Sequence, residues 1–305
     1  MILCVGEALI DMIPDRQGTP QPHVGGAVLN TARALGRLDQ DVALLTGLSS
    51  DEYGRLIEEA MIESGVTTTQ AVRSDRPTTL AIVELNDGQA RYEFRDEGSA
   101  LRDLTFADLP APTPGTQALF FGGISLCNPP VADAFAEYAT RHAASYLTFL
   151  DPNLRPGFAN DPAGYFDRLH RMMQVSDIVK MSDDDLGLLH PDVSLEDAVA
   201  KVLAAGPKLL LLTLGGDGAR AIHVNGTTAR VPGQKVDVVD TVGAGDTFNA
   251  GVLARAAQLD LLDKSGIDGW TPEQMRSLID LGARAAAVTV SRAGANPPRT
   301  HELPV

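Results

Sequence analysis

Residues Val236–Ala257 read VDVVDTVGAGDTFNAGVLARAA. The pattern predicts a strand ending at Asp240, a turn holding Gly243, Ala244 and Gly245, and a helix opened by Asp246. Glycine lets a backbone approach a ligand with no Cβ in the way. The first turn of a helix offers unused N–H groups and the positive end of the dipole, so the turn suits an anion. Asp246 beside it can take a proton from an attacking hydroxyl while the turn meets a phosphoryl group. An Asp that merely caps a helix after a glycine-rich turn would read the same way.

Outward from this segment the chain alternates strand and helix. MILCVGEALIDMI reads as a buried strand running into a loop, and GGAVLNTARALGRL as a helix with Val28, Ala32, Leu35 and Leu38 near helical spacing. VALLTGLS, QALFFGGIS, LTFLDPN, DIVKMS and KLLLLTLGG read as buried strands. DEYGRLIEEAMIESG, VADAFAEYATRHAAS, LEDAVAKVLAAG, TFNAGVLARAAQL and PEQMRSLIDLGARAAAVTV read as helices. That rhythm implies a mostly parallel sheet covered on both faces. Two segments depart from it. TTLAIVEL and ARYEFR alternate around Asn86-Asp87-Gly88-Gln89, a hairpin signal. With a loop at 12–24, they suggest a lobe from about 12–24 and 70–100 set into one α/β domain over 1–305, placed as a lid. Pro110, Pro112 and Pro114 mark a loop.

Composition narrows the function classes. The 305 residues are 44% hydrophobic and 21% charged, with a formal charge of −15. Disorder, collagen and coiled coil are excluded. An acidic chain repels nucleic acid and anionic membrane, so phosphate must be held by local devices. Cys4 and Cys127 lie in apolar runs, and two thiols make neither a disulfide framework nor a cysteine zinc site. The N-terminus lacks a basic leader and carries Glu7 and Asp11, and no apolar run reaches the roughly 18 residues of a membrane span. A cytoplasmic protein, monomer or homodimer, is expected.

Two further glycine segments bear on a site. Gly25-Gly26 opens a helix with Asn30 one turn in, and an amide offers a donor and an acceptor to a polyol hydroxyl. A tight loop with an exposed Asn is the plainer reading. Gly216, Gly218 and Ala221 fit G-x-G-x-x-A, a dinucleotide pattern that needs a helix next. AIHVNGTTARV reads instead as strand, Asn-Gly turn, strand, so that reading fails. No Lys follows a Gly, so the P-loop reading fails as well.

GGAVLNTARALGRL, DVALLTGLSSDEYGRLI and DTVGAGDTFNAGVLA together resemble the signature regions of the ribokinase (PfkB) family of sugar kinases in content, order and separation. GEALIDMIP, YEFRDEGSA, DPNLRP and IVKMSDDDLGLL are similar to segments of bacterial fructokinases within it. The resemblance implies a ribokinase-like α/β fold, ATP with Mg²⁺, possible activation by K⁺ near Asp240–Thr241, and in-line transfer to a sugar hydroxyl. By the same resemblance Asp246 is the base, and Gly243, Ala244 and Gly245 form the anion hole. Asp11, Gly25, Gly26, Asn30 and Arg95 would bind sugar. Asn153 and Arg155 would contact sugar and phosphates. Lys180, Thr213, Gly215, Gly216 and Gly218 would lie on the nucleotide side.

The chain departs from the family in two places. The Asn-x-x-Glu motif is Ser182-Asp183-Asp184-Asp185, so Asp185 keeps a carboxylate on a shorter arm, expected to reach a metal through water. A plain solvated helix start fits this acidic run too. Related 2-keto-3-deoxygluconate kinases tend to show Arg-x-Gly-Ser-Ala. Here Arg95 lies one residue early and Asp96 takes the matching place, where it is expected to repel a sugar acid. A fructokinase is expected, with a 2-keto-3-deoxygluconate or other sugar kinase as the rival and a non-catalytic sugar sensor as the remote alternative.

Overall fold

The structure, a computed structural model, describes residues 1–303 apart from 16, 87 and 88. The first part of the chain contributes β1 (Ile2–Val5), β2 (Leu9–Pro14), β3 (Pro20–Gly25), α1 (Ala27–Arg37), β4 (Val42–Leu45), β5 (Gly47–Ser49), α2 (Glu52–Glu63), β6 (Val66–Thr67) and β7 (Val72–Ser74). There follow β8 (Leu80–Asn86), β9 (Gln89–Arg95), β10 (Ala118–Gly122), α3 (Val131–His142), β11 (Leu147–Asp151) and α4 (Pro162–Val175). Next come β12 (Ile178–Ser182), α5 (Asp183–Leu189), α6 (Leu195–Ala204), β13 (Leu209–Thr213), β14 (Ala219–His223) and β15 (Thr228–Val231). The last helices are α7 (Ala244–Gln258) and α8 (Pro272–Val290).

Nine strands form one sheet in the order β15-β14-β13-β12-β11-β10-β1-β4-β6. Neighbours from β13 to β6 are parallel, and β14 and β15 join antiparallel at one edge. The sheet is buried on both faces, which explains why its strands read as unbroken apolar runs. Along β1, Ile2 and Cys4 enter one core with Leu35 of α1, Val252 of α7 and Leu278 of α8. Leu3 and Val5 enter the opposite core with Phe135 of α3, Leu169 of α4 and Val202 of α6. The expected helix-covered parallel sheet is therefore present, and the strand–turn–strand reading of AIHVNGTTARV holds in β14 and β15.

A second sheet has the order β3-β2-β8-β9, and β5 pairs β7 in a third. Here the structure corrects the sequence reading. MILCVGEALIDMI is two strands in two sheets, broken at Gly6-Glu7. The expected loop at 12–24 is mostly a β2–β3 hairpin. VALLTGLS also divides between two sheets, into β4 and β5. Residues 70–79 stay outside the four-stranded sheet. The β8 and β9 strands are present with Asn86 opposite Gln89, while Asp87 and Gly88 of the expected turn lie outside the described residues. VDVVD forms no strand. Val238 and Val239 are each 63% exposed, and the Val239 and Asp240 N–H groups donate to Val290 O at the end of α8. Its apolar alternation had no neighbouring strand to pair with, so β-propensity alone was insufficient.

Helix α7 is buried almost all round from Asp246 to Ala254, as expected of a core helix. It meets α8 through glycines: a Cβ on Gly251 would lie 2.7 Å from Gly282 Cα. Backbone cannot retreat as a flexible side chain can. Gly251→Val should therefore lower stability by ~1–3 kcal/mol or more, read as a drop in Tm. An unchanged Tm would show that the α7–α8 contact is looser than described.

Candidate active site

The C-terminal ends of β13, β12, β11, β10 and β1, adjacent in the sheet, bring several residues of interest to one edge. Open α/β sheets bind ligands along that edge, at the point where strand order reverses. Here that point lies between β1 and β10, since β1 has the later strand β4 on its other side. Glu7 follows β1, Ser125 follows β10, Asp151 ends β11, Lys180 lies in β12, and Thr213 ends β13.

Helix α7 brings the glycine turn to this edge. Gly243 is left-handed at φ 77°, and a Cβ there would lie 2.8 Å from Ala295 Cβ, so conformation and space both require glycine. No side chain caps the helix. Asp246 is its third residue, not its N-cap, so capping does not account for it. Asp246 is 8% exposed, and its Oδ2 accepts from Asn30 Nδ2 at 3.0 Å. Burial pushes its pKa up to about 7, with Asp151 and Glu7 adding to the rise while the Asn30 hydrogen bond and Lys180 oppose it. Asn30 Oδ1 is buried without a donor among the described residues. Such an orphan acceptor beside Asp246 is where a ligand hydroxyl would fit.

Lys180 is buried and donates to Asp151 Oδ2 at 3.1 Å. A Cβ on Gly245 would lie 3.1 Å from its Nζ, so the ammonium faces the glycine turn. Burial alone would push Lys180 down, but Asp151, Asp185 and Asp246 hold its pKa above the ordinary value. Asp151 Oδ2 also accepts from Asn249 Nδ2 at 2.7 Å, and Asp151 Oδ1 accepts from Asn153 N at 3.1 Å. Asn153 is held at φ 42°. On the other side, Asp11 of β2 pairs in register with His23 of β3. Burial pushes the Asp11 pKa up to about 6, with His23 opposing. A Cβ on Gly25 would lie 2.0 Å from Asp11 Oδ2, so that glycine makes room for the carboxylate. Gly26 precedes α1 at φ 109°.

Several expected site residues stand elsewhere or do other work. Arg155 is exposed, and its guanidinium donates to Leu154 O, not into the site. Arg95 is exposed on β9 and pairs with Glu93. Asp96 is not a bare repelling charge, because Arg102 Nη1 donates to it at 2.6 Å. Asp185 is engaged within the chain. Its Oδ2 accepts from Ser182 N and Oγ, and its Oδ1 accepts from Leu154 N, which ties β12 to the loop after β11. Ser182 caps the short helix α5 in return. Gly215 and Gly216 lie exposed after β13, while a Cβ on Gly218 would lie 2.2 Å from Val231 O, a packing reason for that glycine. Asp240 braces the glycine turn by accepting from Val242 N and Gly294 N. Among the described residues no three His, Cys, Asp or Glu side chains form a metal cage.

Four residues escaped the sequence reading: Glu7, Ser125, Asp151 and Asn249. Glu7 and Asp151 carried one usable signal, a charge at or just past the end of an apolar strand. Asn249 lies three residues after Asp246, the spacing of one helix face.

The model of the pfkB family of carbohydrate kinases matches residues 1–302. The chain belongs to this family. It is 42% identical over 281 residues to a fructokinase of Rhizobium leguminosarum bv. trifolii, covering 91% of this chain and 86% of the relative. It is 31% identical over 297 residues to a fructokinase of Escherichia coli, covering 95% and 93%. The solved fructokinase of Xylella fastidiosa with bound ATP superimposes with a TM-score of 0.86 at 29% identity, covering 96% of this chain and 93% of that one. The protein is a sugar kinase, a phosphotransferase with an alcohol acceptor. Among the described residues of this kinase no helix is long and apolar enough to cross a membrane.

A buried carboxylate with a raised pKa should weaken the fold as it ionises. The folded state holds the Asp246 proton up to about pH 7, whereas the unfolded chain releases it near 3.8. Stability from this group is thus present below pH 4 and lost as pH rises to 7. Asp246→Asn lacks that loss, so its Tm relative to wild type should climb from pH 5 to pH 8. A Tm difference independent of pH would contradict the burial of the ionised form.

Proposed function

We propose that this kinase transfers the γ-phosphoryl group of ATP to a primary hydroxyl of fructose, giving fructose 6-phosphate and ADP. The observation that carries the reading is the Asn30–Asp246 contact. A desolvated carboxylate, aligned by the amide of the segment expected to bind sugar, lies in the same turn as Gly243–Gly245. The names of the relatives and the ATP bound in one of them support the same reaction.

In this mechanism Asp246 accepts the proton of the attacking hydroxyl. A pKa near the working pH makes it a far better base than an exposed Asp. The turn N–H groups and the N-terminus of α7 meet the γ-phosphate, and Lys180 adds a buried ammonium facing the turn. Asp11 and Asn30 take sugar hydroxyls. The four-stranded sheet is the lid, which excludes water and so limits ATP hydrolysis. Mg²⁺ would arrive as part of MgATP, where it would supply charge neutralisation on the phosphates. Asp246→Asn should lower kcat by ~10²–10⁴-fold with little change in sugar KM. Near-full kcat in that variant would remove Asp246 from the reaction.

A sugar acid would bring a carboxylate that needs a cation once desolvated. Arg102 is a cation at this end of the lid, and Asp96 and Pro129 O already engage it. Fructose should therefore be preferred over 2-keto-3-deoxygluconate in kcat/KM, and Asp96→Ala should narrow the preference by freeing Arg102. If wild type prefers the acid, the neutral-sugar reading is wrong.

A further inference from the structure

Helix α1 carries Asn30, yet its own start is unusual. Its N-cap is Gly26, which has no side chain to satisfy the first N–H groups. Those donors are met from 20 residues away. Glu7 Oε1 accepts from Ala27 N at 3.0 Å, and Glu7 O accepts from Leu29 N at 3.1 Å. The other carboxylate oxygen, Oε2, accepts from Ser125 N at 3.3 Å in the turn after β10. Glu7 is 1% exposed.

Two left-handed glycines clear the space for this side chain. A Cβ on Gly26 would lie 2.9 Å from Glu7 O, and one on Gly123 would lie 1.9 Å from Glu7 Oε1. Gly26 has φ 109° and Gly123 φ 73°. Glu7 also sits at the joint between the large sheet and the four-stranded sheet, since β1 ends at Val5 and β2 begins at Leu9. A carboxylate at a helix N-terminus is favoured by the dipole, and here one residue ties three segments at the point where strand order reverses.

We propose that Glu7 is a positioning residue that locks the Gly25–Gly26 loop and the start of α1 against the turn after β10, so that Asn30 presents its amide to the sugar hydroxyl and to Asp246. It touches neither substrate. Its effect on Asn30 runs from carboxylate to Ala27 N–H and through one helical turn, beside the direct contribution of its charge to the raised Asp246 pKa. The inference rests on the sugar-site reading of Asn30. Wild-type turnover on fructose tests that reading by itself, and the variants are compared with wild type on whichever sugar it accepts.

The experiment measures sugar KM, ATP KM, kcat and Tm for Glu7→Ala, Glu7→Gln, Gly123→Ala and the double variant Glu7→Ala/Gly123→Ala. Glu7→Ala should raise sugar KM by about tenfold or more and lower kcat, with ATP KM within about threefold, as befits loss of an orienting contact. Glu7→Gln keeps one accepting oxygen and should recover part of the loss. Gly123→Ala drives a methyl onto the carboxylate and should reproduce the Glu7→Ala pattern. Since both singles break one contact, the double variant should be no worse than the poorer single. Sugar KM and kcat within twofold of wild type in folded Glu7→Ala would overturn the proposal. So would sugar KM and ATP KM rising together in step with a falling Tm. If neither Glu7→Ala nor Gly123→Ala folds, Glu7 is a folding residue and the proposal falls.

Discussion

Asn30 donates to Asp246 across 3.0 Å, joining residues 216 apart in the chain. One belongs to the helix after the β2–β3 hairpin, the other to the helix after the glycine turn. The contact is possible only because the parallel sheet delivers both helices to the same edge and face, where α1 and α7 share a core. It also sets a limit: every group that buries Asp246 raises its basicity and costs stability once it ionises. A reactive carboxylate held this way is a local strain that the surrounding core must offset.

The same edge resolves the conflict between an acidic chain and an anionic substrate. A net charge of −15 offers no general attraction for ATP. Around the site Glu7, Asp11, Asp151, Asp185 and Asp246 are all carboxylates, and all but Asp11 accept from specific donors. Asp151 faces Lys180 and Asn249, Asp185 faces Ser182 and Leu154, and Glu7 faces Ala27 and Ser125. In the proposed mechanism the backbone N–H groups of the α7 turn and Lys180 are the groups that meet phosphate. Attraction is thus built from short-range directed donors, whose strength depends on desolvation and not on the global field.

Much of this was legible in the residues. Unbroken apolar runs revealed the buried parallel strands, and Asn30 and Asp246, singled out in separate segments, are brought into contact. The hidden part depends on tertiary partners. Nothing local distinguishes VDVVD, which lies exposed, from a strand that finds a neighbour. Nothing within MILCVGEALIDMI shows that the chain changes sheets at Glu7. Asp185 has the composition of a metal-side carboxylate, and only its three donors reveal a bracket for the loop after β11. Arg155 has the right motif, while its guanidinium turns back onto Leu154 O.

The central claim is that desolvation makes Asp246 the base. The most direct measurement is the pH dependence of kcat/KM for fructose at saturating MgATP, because that ratio reports the ionisation of the enzyme before the sugar binds. The account predicts an acidic limb with a midpoint near pH 7, where burial places the Asp246 carboxyl. A profile that stays flat down to pH 5 would contradict it.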